Sequence, residues 1–217
     1  MSDCADLPYK IEDMRLDDVN EVMEIEHRSF PSPWSARAYK YELTRNSCSQ
    51  FLVVRQSLSG EGFAKKPSKF LNGFLRSSPR AVNSPVLGYG GFWLLEDEAH
   101  ISTLAVAPDW RGLGLGEFLV VGLLERAVKV KAEVATLEVR VSNLVAQDLY
   151  LKYHFQTVGI QKGYYRDNLE DALIMTSSPL RSQAFQENLR QNKMALIASL
   201  KAGKRRCTSD RAVSQMG

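Results

Sequence analysis

The sequence predicts a mixed α/β (α+β) fold, with one central, mainly antiparallel sheet flanked by helices. Three observations carry this. Two apolar runs, residues 86 to 95 and 99 to 107, flank the acidic turn Glu96-Asp97-Glu98 and read as a hairpin. The second run leads through Pro108-Asp109 into Arg111-Gly-Leu-Gly114-Leu-Gly116, and an apolar-periodic segment then continues without a breaker to about residue 130. That is strand, glycine-rich turn, helix. An alternating segment at 136 to 141 follows, and the β-α-β crossover that it closes must be parallel and right-handed.

Taken in order, residues 9 to 14 read as a short strand. Asp17 is placed to cap a helix that opens with Val19, Val22, Met23 and Ile25 and ends near Phe30. Pro31-Ser-Pro33-Trp34 breaks it, and Ser35 caps a second helix through about Arg45. The aromatic, proline-rich elbow between the two either lines a substrate entrance or is a packing hinge of Phe30 and Trp34. Residues 51 to 55 form a strand. Residues 57 to 85 then change character: twelve of the 29 are Gly, Ser or Pro, and five are Lys or Arg against one acid. Such a segment lacks the apolar surface to fold alone and reads as a surface loop or partly disordered insertion, with one docking turn at Phe70, Leu71, Phe74 and Leu75.

Past the hairpin and the glycine turn, Leu115, Phe118, Val121, Leu124 and Val128 fall at helical spacing. In the strand at 136 to 141, Leu137, Val139 and Val141 share one face, and Glu138 and Arg140 the other. A carboxylate inside a strand that otherwise reads as core is either paired with Arg140 or another neighbour, or chemical. Ser142-Asn143 caps a helix in which Ala146, Leu149, Tyr150 and Tyr153 share a face. Residues 155 to 160 form a strand, 163 to 168 a polar aromatic turn, and 172 to 176 the last strand. Residues 1 to 180 thus form one domain. Residues 181 to 217 add an amphipathic helix, striped by Phe185, Leu189, Leu196 and Leu200 and expected to pack on the body, and then a basic tail.

Composition narrows the function classes. A chain of 217 residues, 44% hydrophobic and 24% charged, reads as soluble and globular with a real core. Its longest apolar run, residues 118 to 124, is far too short to span a bilayer, so no membrane partner is expected. The net charge of +3 divides into +6 from residue 181 onward and −3 before it. The tail is therefore either a weak contact for an anion such as ribosomal RNA or a solvated end. Cys4, Cys48 and Cys207 are scattered, which implies neither a disulfide framework nor a metal and fits a reducing cytoplasm; the first residues carry no secretory signal.

The glycine turn is the chemical centre of the chain. Glycines let a backbone approach a ligand, and the first amides of a helix point outward as donors at the positive end of its dipole. The turn is therefore a phosphate site or a plain corner. The spacing fits neither Gly-x-Gly-x-x-Gly nor a nucleoside-triphosphate loop.

Arg-x-x-Gly-x-Gly between strand and helix resembles the acetyl-CoA pyrophosphate loop of the GNAT acetyltransferases. Three further pieces resemble their ribosomal-protein-alanine N-acetyltransferase (RimI) group: Leu137-Glu-Val-Arg-Val-Ser-Asn143, Leu149-Tyr-Leu-Lys-Tyr-His-Phe155 and Tyr164-Tyr-Arg-Asp-Asn-Leu-Glu-Asp-Ala-Leu-Ile-Met175. Phe30-Pro-Ser-Pro-Trp34 resembles that group's Phe-Pro-Trp elbow, with an extra Ser-Pro. The similarity covers roughly residues 8 to 178; residues 57 to 85 and the tail have no counterpart in short members.

The resemblance implies a GNAT-like fold and an acetyl-CoA-dependent N-acetyltransferase acting on a protein N-terminal α-amine, the N-terminal alanine of a small-subunit ribosomal protein. Two alternatives stand beside it: a GNAT enzyme of broader N-termini, lysines or small amines, and a non-catalytic acetyl-CoA-binding or ribosome-associated module. It further implies that Leu104, Ala105 and Val106 contact the acetyl and pantetheine arm. Arg111, Gly112, Leu113, Gly114, Leu115 and Gly116 would hold the pyrophosphate, and Asn143 would touch the arm. Glu138 would be the general base, and Tyr150, otherwise a core aromatic, would protonate the thiolate. Phe30, Trp34, Tyr164, Tyr165 and Glu170 are candidates for holding the substrate. His100 and His154 read as structural.

Overall fold

The computed structural model describes residues 7–57 and 84–203. Most of the expected insertion and the basic tail beyond Gly203 lie outside the described residues. Seven strands build one sheet: β1 (Tyr9–Asp13), β2 (Ser49–Gln56), β3 (Val86–Leu95), β4 (Glu98–Val106), β5 (Val134–Arg140), β6 (Phe155–Tyr165) and β7 (Glu170–Ser177). Their order is β1-β2-β3-β4-β5-β7-β6, and every pair is antiparallel except β4 with β5. The parallel pair is the one that the crossover helix α3 (Leu115–Lys129) demands.

Alternation along β2 divides the core. Phe51 and Val53 face α1 (Val19–Ser29) and α2 (Ala36–Thr44), meeting Val22, Ile25 and Tyr39. Leu52 and Val54 face the other way, onto Leu119 and Leu123 of α3. On that second face α4 (Leu144–Lys152) contributes Tyr150. α5 (Gln183–Lys201) lays Phe185, Leu189, Leu196 and Leu200 into the same cluster. Its start is capped by Ser182, whose Oγ accepts from Phe185 N at 3.3 Å. The last helix is thus part of the main core. Among the described residues no helix is long and apolar enough to cross a membrane.

Three local expectations are corrected. The first helix is not entered through a cap at Asp17. A single 3-10 turn, Leu16–Asp18, precedes it, and Asp18 Oδ2 accepts from Arg15 N at 2.9 Å. Asp18 is recruited because its other oxygen meets the buried Arg55 guanidinium, a cation that needs a carboxylate out of water. Second, β6 does not end at Ile160. It continues to Tyr165 through a register shift between Gln161 and Tyr165, and the turn is Arg166 to Leu169, the last at φ 57°. This edge strand is exposed on both faces for most of its length, so no apolar alternation marks it. Third, Val141 lies beyond the end of β5 and is exposed, outside the face shared by Leu137 and Val139.

Candidate active site

The glycine turn takes the form the sequence requires. Gly112 and Gly114 hold φ of 75° and 83°, left-handed values that tax any other residue. Gly114 is also the N-cap of α3, and the first intrahelical bond runs from Phe118 N to Gly114 O at 2.9 Å. The amides of Leu115, Gly116 and Glu117 precede that bond and have no carbonyl of their own helix to serve. A Cβ on Gly116 would meet nothing nearer than Val106 Cγ2 at 3.9 Å, so the protein itself does not require glycine there. The turn is backed by α5: Leu196 Cδ1 and Leu200 Cδ2 stand 3.3 and 3.5 Å from where a Gly114 Cβ would be. Arg111 points back into the protein, its Nε on Val106 O at 3.1 Å and a guanidinium nitrogen on Ser29 Oγ at 3.1 Å. The arginine therefore props the turn, and its backbone is what the turn offers.

Beside this turn the sheet opens. β4 and β5 pair only from Glu98↔Val134 to Ile101↔Leu137. Beyond those residues β4 keeps β3 on one side and loses its partner on the other. A register shift opposite Gly91/Phe92 places one extra residue, Ser102, on β4 at that point. Ala107 N bonds to Leu87 O of β3 at 2.9 Å, so by alternation Leu104 and Val106 aim their backbone groups into the gap while Ala105 serves β3. On the far side of the gap Asn143 caps α4, its Oδ1 accepting from Ala146 N at 3.2 Å.

Glu138 is the first residue of β5 past the paired stretch. It does not pair with Arg140, which instead holds Asp167 at 2.7 Å and Glu170 at 2.9 Å and lies 3.8 Å over the Tyr165 ring. Glu138 Oε2 lies 3.4 Å from His100 Nε2, and Glu138 stands near Tyr164, whose phenol pKa is raised mainly by burial and further by that carboxylate. His100 stacks on Trp93 with ring centroids 5.9 Å apart, and Trp93 stacks on Trp34 at 5.7 Å. A ladder of rings thus runs from the elbow to Glu138 on the α1/α2 face. The elbow is fixed from behind by buried Glu26, which accepts from Trp34 N at 2.8 Å and from Tyr39 OH at 3.0 Å. Burial is the main cause that raises the Glu26 carboxyl above its ordinary value. Phe30 packs on the smaller core cluster.

Tyr150 sits with Leu137 and Val139 in the main core cluster, on the opposite face of β5 from Glu138. Only a molecule lying in the gap between the strands could reach both. Burial, with Tyr165 nearby, pushes the Tyr150 phenol up to about 12. Tyr165, 5.0 Å from Tyr164 by ring centroid, is likewise pushed up to about 12, mainly by burial. Glu170 is committed elsewhere. Ser142 N donates to its Oε1 at 2.8 Å, Arg140 holds its Oε2, and hydrogen bonds from Ser142 and Arg140 bring its carboxyl down to about 2. It clamps the β6–β7 hairpin to the end of β5. His154 carries φ 59° at the α4–β6 corner, and Ser178 N bonds to its carbonyl. His100, which reads as structural in the sequence, lies beside Glu138. Its one signal is the two-residue period that places it on the face of Glu98, opposite Thr136 in the parallel register. No cluster of His, Cys, Asp and Glu among the described residues could hold a metal ion.

The sequence and the fold are both matched in known proteins. Residues 19–155 fit the profile of the Acetyltransferase (GNAT) family. The chain belongs to that family. It is 37% identical to a candidate ribosomal protein bS18-alanine N-acetyltransferase of Bacillus subtilis, over 76% of this chain and 92% of that one. An N-alpha-acetyltransferase of Sulfurisphaera tokodaii is 28% identical over 78% and 92%. The crystal structure of the ribosomal-protein-S18-alanine N-acetyltransferase of Escherichia coli superposes with a TM-score of 0.62 at 25% identity, covering 80% of this chain and 95% of that one. This GNAT protein is an N-acetyltransferase, with acetyl-CoA as co-substrate. The turn and gap fit that molecule: outward amides for a pyrophosphate, no Cβ at Gly116, and a free strand edge for an amide-bearing arm.

Proposed function

We propose that this chain acetylates the α-amine of a protein N-terminus, and that its substrate is the N-terminal alanine of ribosomal protein bS18 in the cytoplasm. The single observation that carries the reading is the placement of Glu138, an acid at the open end of the β4/β5 gap, with His100 on one side and Tyr164 on the other. The relatives' names supply the substrate. Glu138 takes a proton from the α-ammonium through water and so frees the lone pair that attacks. The backbone amides of Leu104 and Val106 donate to the thioester oxygen as negative charge develops there. Tyr150 keeps its proton at every working pH and offers it to the departing sulfur. The amides of residues 112 to 116 anchor the pyrophosphate, and Asn143 borders the arm. The Trp34–Trp93 ladder and the Tyr164–Tyr165 hairpin frame the incoming chain, and Glu170 holds that hairpin in place through Arg140.

Turnover of an alanine-starting bS18 peptide, compared with serine- and methionine-starting peptides, a lysine peptide and a polyamine, tests the substrate. Preference for the polyamine or lysine would overturn it, and acetyl-CoA binding without any turnover would indicate a non-catalytic module. Glu138→Gln and Tyr150→Phe should each lower kcat by about 100-fold, within the range that acid–base groups supply, while acetyl-CoA Kd stays near that of the parent. In cells lacking the protein, mass spectrometry should find the bS18 N-terminus unacetylated.

A further inference from the structure

We propose that the base is not Glu138 alone but the pair Glu138–His100, in which a proton received by the carboxylate is held on the imidazole. This rests on the function proposed above. Hydrogen positions set the tautomer of the ring. Thr136 Oγ1 lies 2.5 Å from Glu98 Oε1, and its single proton is spent there. Towards His100 Nδ1, 3.1 Å away, Thr136 therefore has only a lone pair to offer, so Nδ1 carries the hydrogen. In the neutral ring that leaves Nε2 bare, and Nε2 is the atom 3.4 Å from Glu138 Oε2. Two acceptors face each other, and one proton between them satisfies both.

The charged and titratable groups facing the pair are Glu98 on β4 (3.9 Å from Nδ1) and Tyr164 and Tyr165 on β6, both of which feel the Glu138 charge; Trp93 of β3 covers the ring. The carboxylates of Glu98 and Glu138 stand on the two nitrogen sides of the ring. An imidazole is also ordinarily the stronger base by about two pK units, closer to the α-amine it must serve. The step balances: the α-ammonium loses H⁺ to water, water passes H⁺ to Glu138, and Glu138 passes it to Nε2. Carboxylate and imidazolium remain, with no change of oxidation state. The His100 side chain is 20% exposed, which lets the proton leave to solvent afterwards. His100 acts through Glu138, so it is a positioning and proton-holding residue.

The test is the pH profile of kcat/KM for the full-length chain with acetyl-CoA and the alanine-starting peptide. His100→Gln keeps a polar side chain of similar reach and cannot titrate. We expect at least a 10-fold loss at about pH 7, together with displacement of the acid limb downward by about two pH units, toward the range of a lone carboxylate. A merely structural role would lower the whole profile and leave the limb in place, and that outcome would overturn the proposal. Unchanged acetyl-CoA affinity by calorimetry confirms that the variant is folded. Nitrogen-15 NMR of the histidine rings supplies an independent reading: the neutral His100 ring should show the Nδ1–H tautomer. An Nε2–H ring would also overturn it. Should Glu138→Gln retain full turnover, the assignment of the base itself fails. Should Glu138→Gln be inactive while His100→Gln matches the parent at every pH, only the role of His100 fails.

Discussion

Replacing the three glycines of the turn one at a time separates backbone strain from ligand contact. Gly112 and Gly114 have left-handed φ, where an alanine costs about 1–2 kcal/mol. Gly112→Ala meets no neighbour, so strain is its whole effect on the free protein. Gly114→Ala adds a contact of 3.3 Å with a flexible methyl of Leu196, which can give way by a few tenths of an ångström. Both should lower the unfolding temperature by roughly 2–8 °C in a chain of this size. Gly116 is different. It sits in the first turn of α3, and an alanine methyl there would stand 3.9 Å from its nearest neighbour. Alanine therefore costs the free protein nothing and gains up to about 1 kcal/mol of helix propensity. If its amide binds a phosphate, the methyl holds the anion off and removes a charge-assisted hydrogen bond worth about 1.5–3 kcal/mol. That is a Kd for acetyl-CoA raised about 10- to 150-fold. The assay is calorimetric titration with acetyl-CoA beside a thermal melt. A Gly116→Ala protein that melts at or above the parent and binds acetyl-CoA equally well would refute the placement of the pyrophosphate.

Other expectations follow from the packing and the titrating groups. Leu196→Ala, at a side chain 1% exposed, should destabilise the fold by about 2–5 kcal/mol in urea unfolding and weaken acetyl-CoA binding as well, because Leu196 backs Gly114. Tyr150 and Tyr165 titrate near 12 in the fold against about 10 when unfolded, so their contribution is whole below about pH 10 and is lost as pH rises through 12. A spectrophotometric titration should show these phenols ionising only with alkaline unfolding. Arg140→Ala should release Glu170 and the Tyr165 ring together, raising KM for the peptide several-fold with little change in acetyl-CoA Kd. Unchanged peptide KM would remove the hairpin from substrate positioning.

The readable parts of this chain are those where a residue's role is set by its near neighbours in sequence. The hairpin around residues 96 to 98, the turn glycines, the Ser35 and Asn143 caps and the stripe of α5 each carry a local pattern, and each is in place. β6 runs longer than its sequence pattern indicates, because an edge strand exposed on both faces has no apolar period to display. The entry to the first helix falls to Asp18 rather than Asp17 because the demand of Arg55, 37 residues from Asp18, decides which aspartate turns inward.

Around the candidate site the division is the same. The sequence by itself determined that a glycine turn precedes α3 and that an acid interrupts the apolar run of β5. It also places Glu138 and Arg140 on one face, because a strand alternates. Tertiary structure alone decided what those side chains meet. Arg140 goes to Asp167 and Glu170 because β7 pairs with β5, and Glu138 goes to His100 because the parallel register sets His100 opposite Thr136. The length of that pairing, ended at Ile101 and Leu137, is what leaves a strand edge open. Register between strands so far apart in the chain is fixed by how whole helices pack on the sheet, and no window of local sequence carries that information.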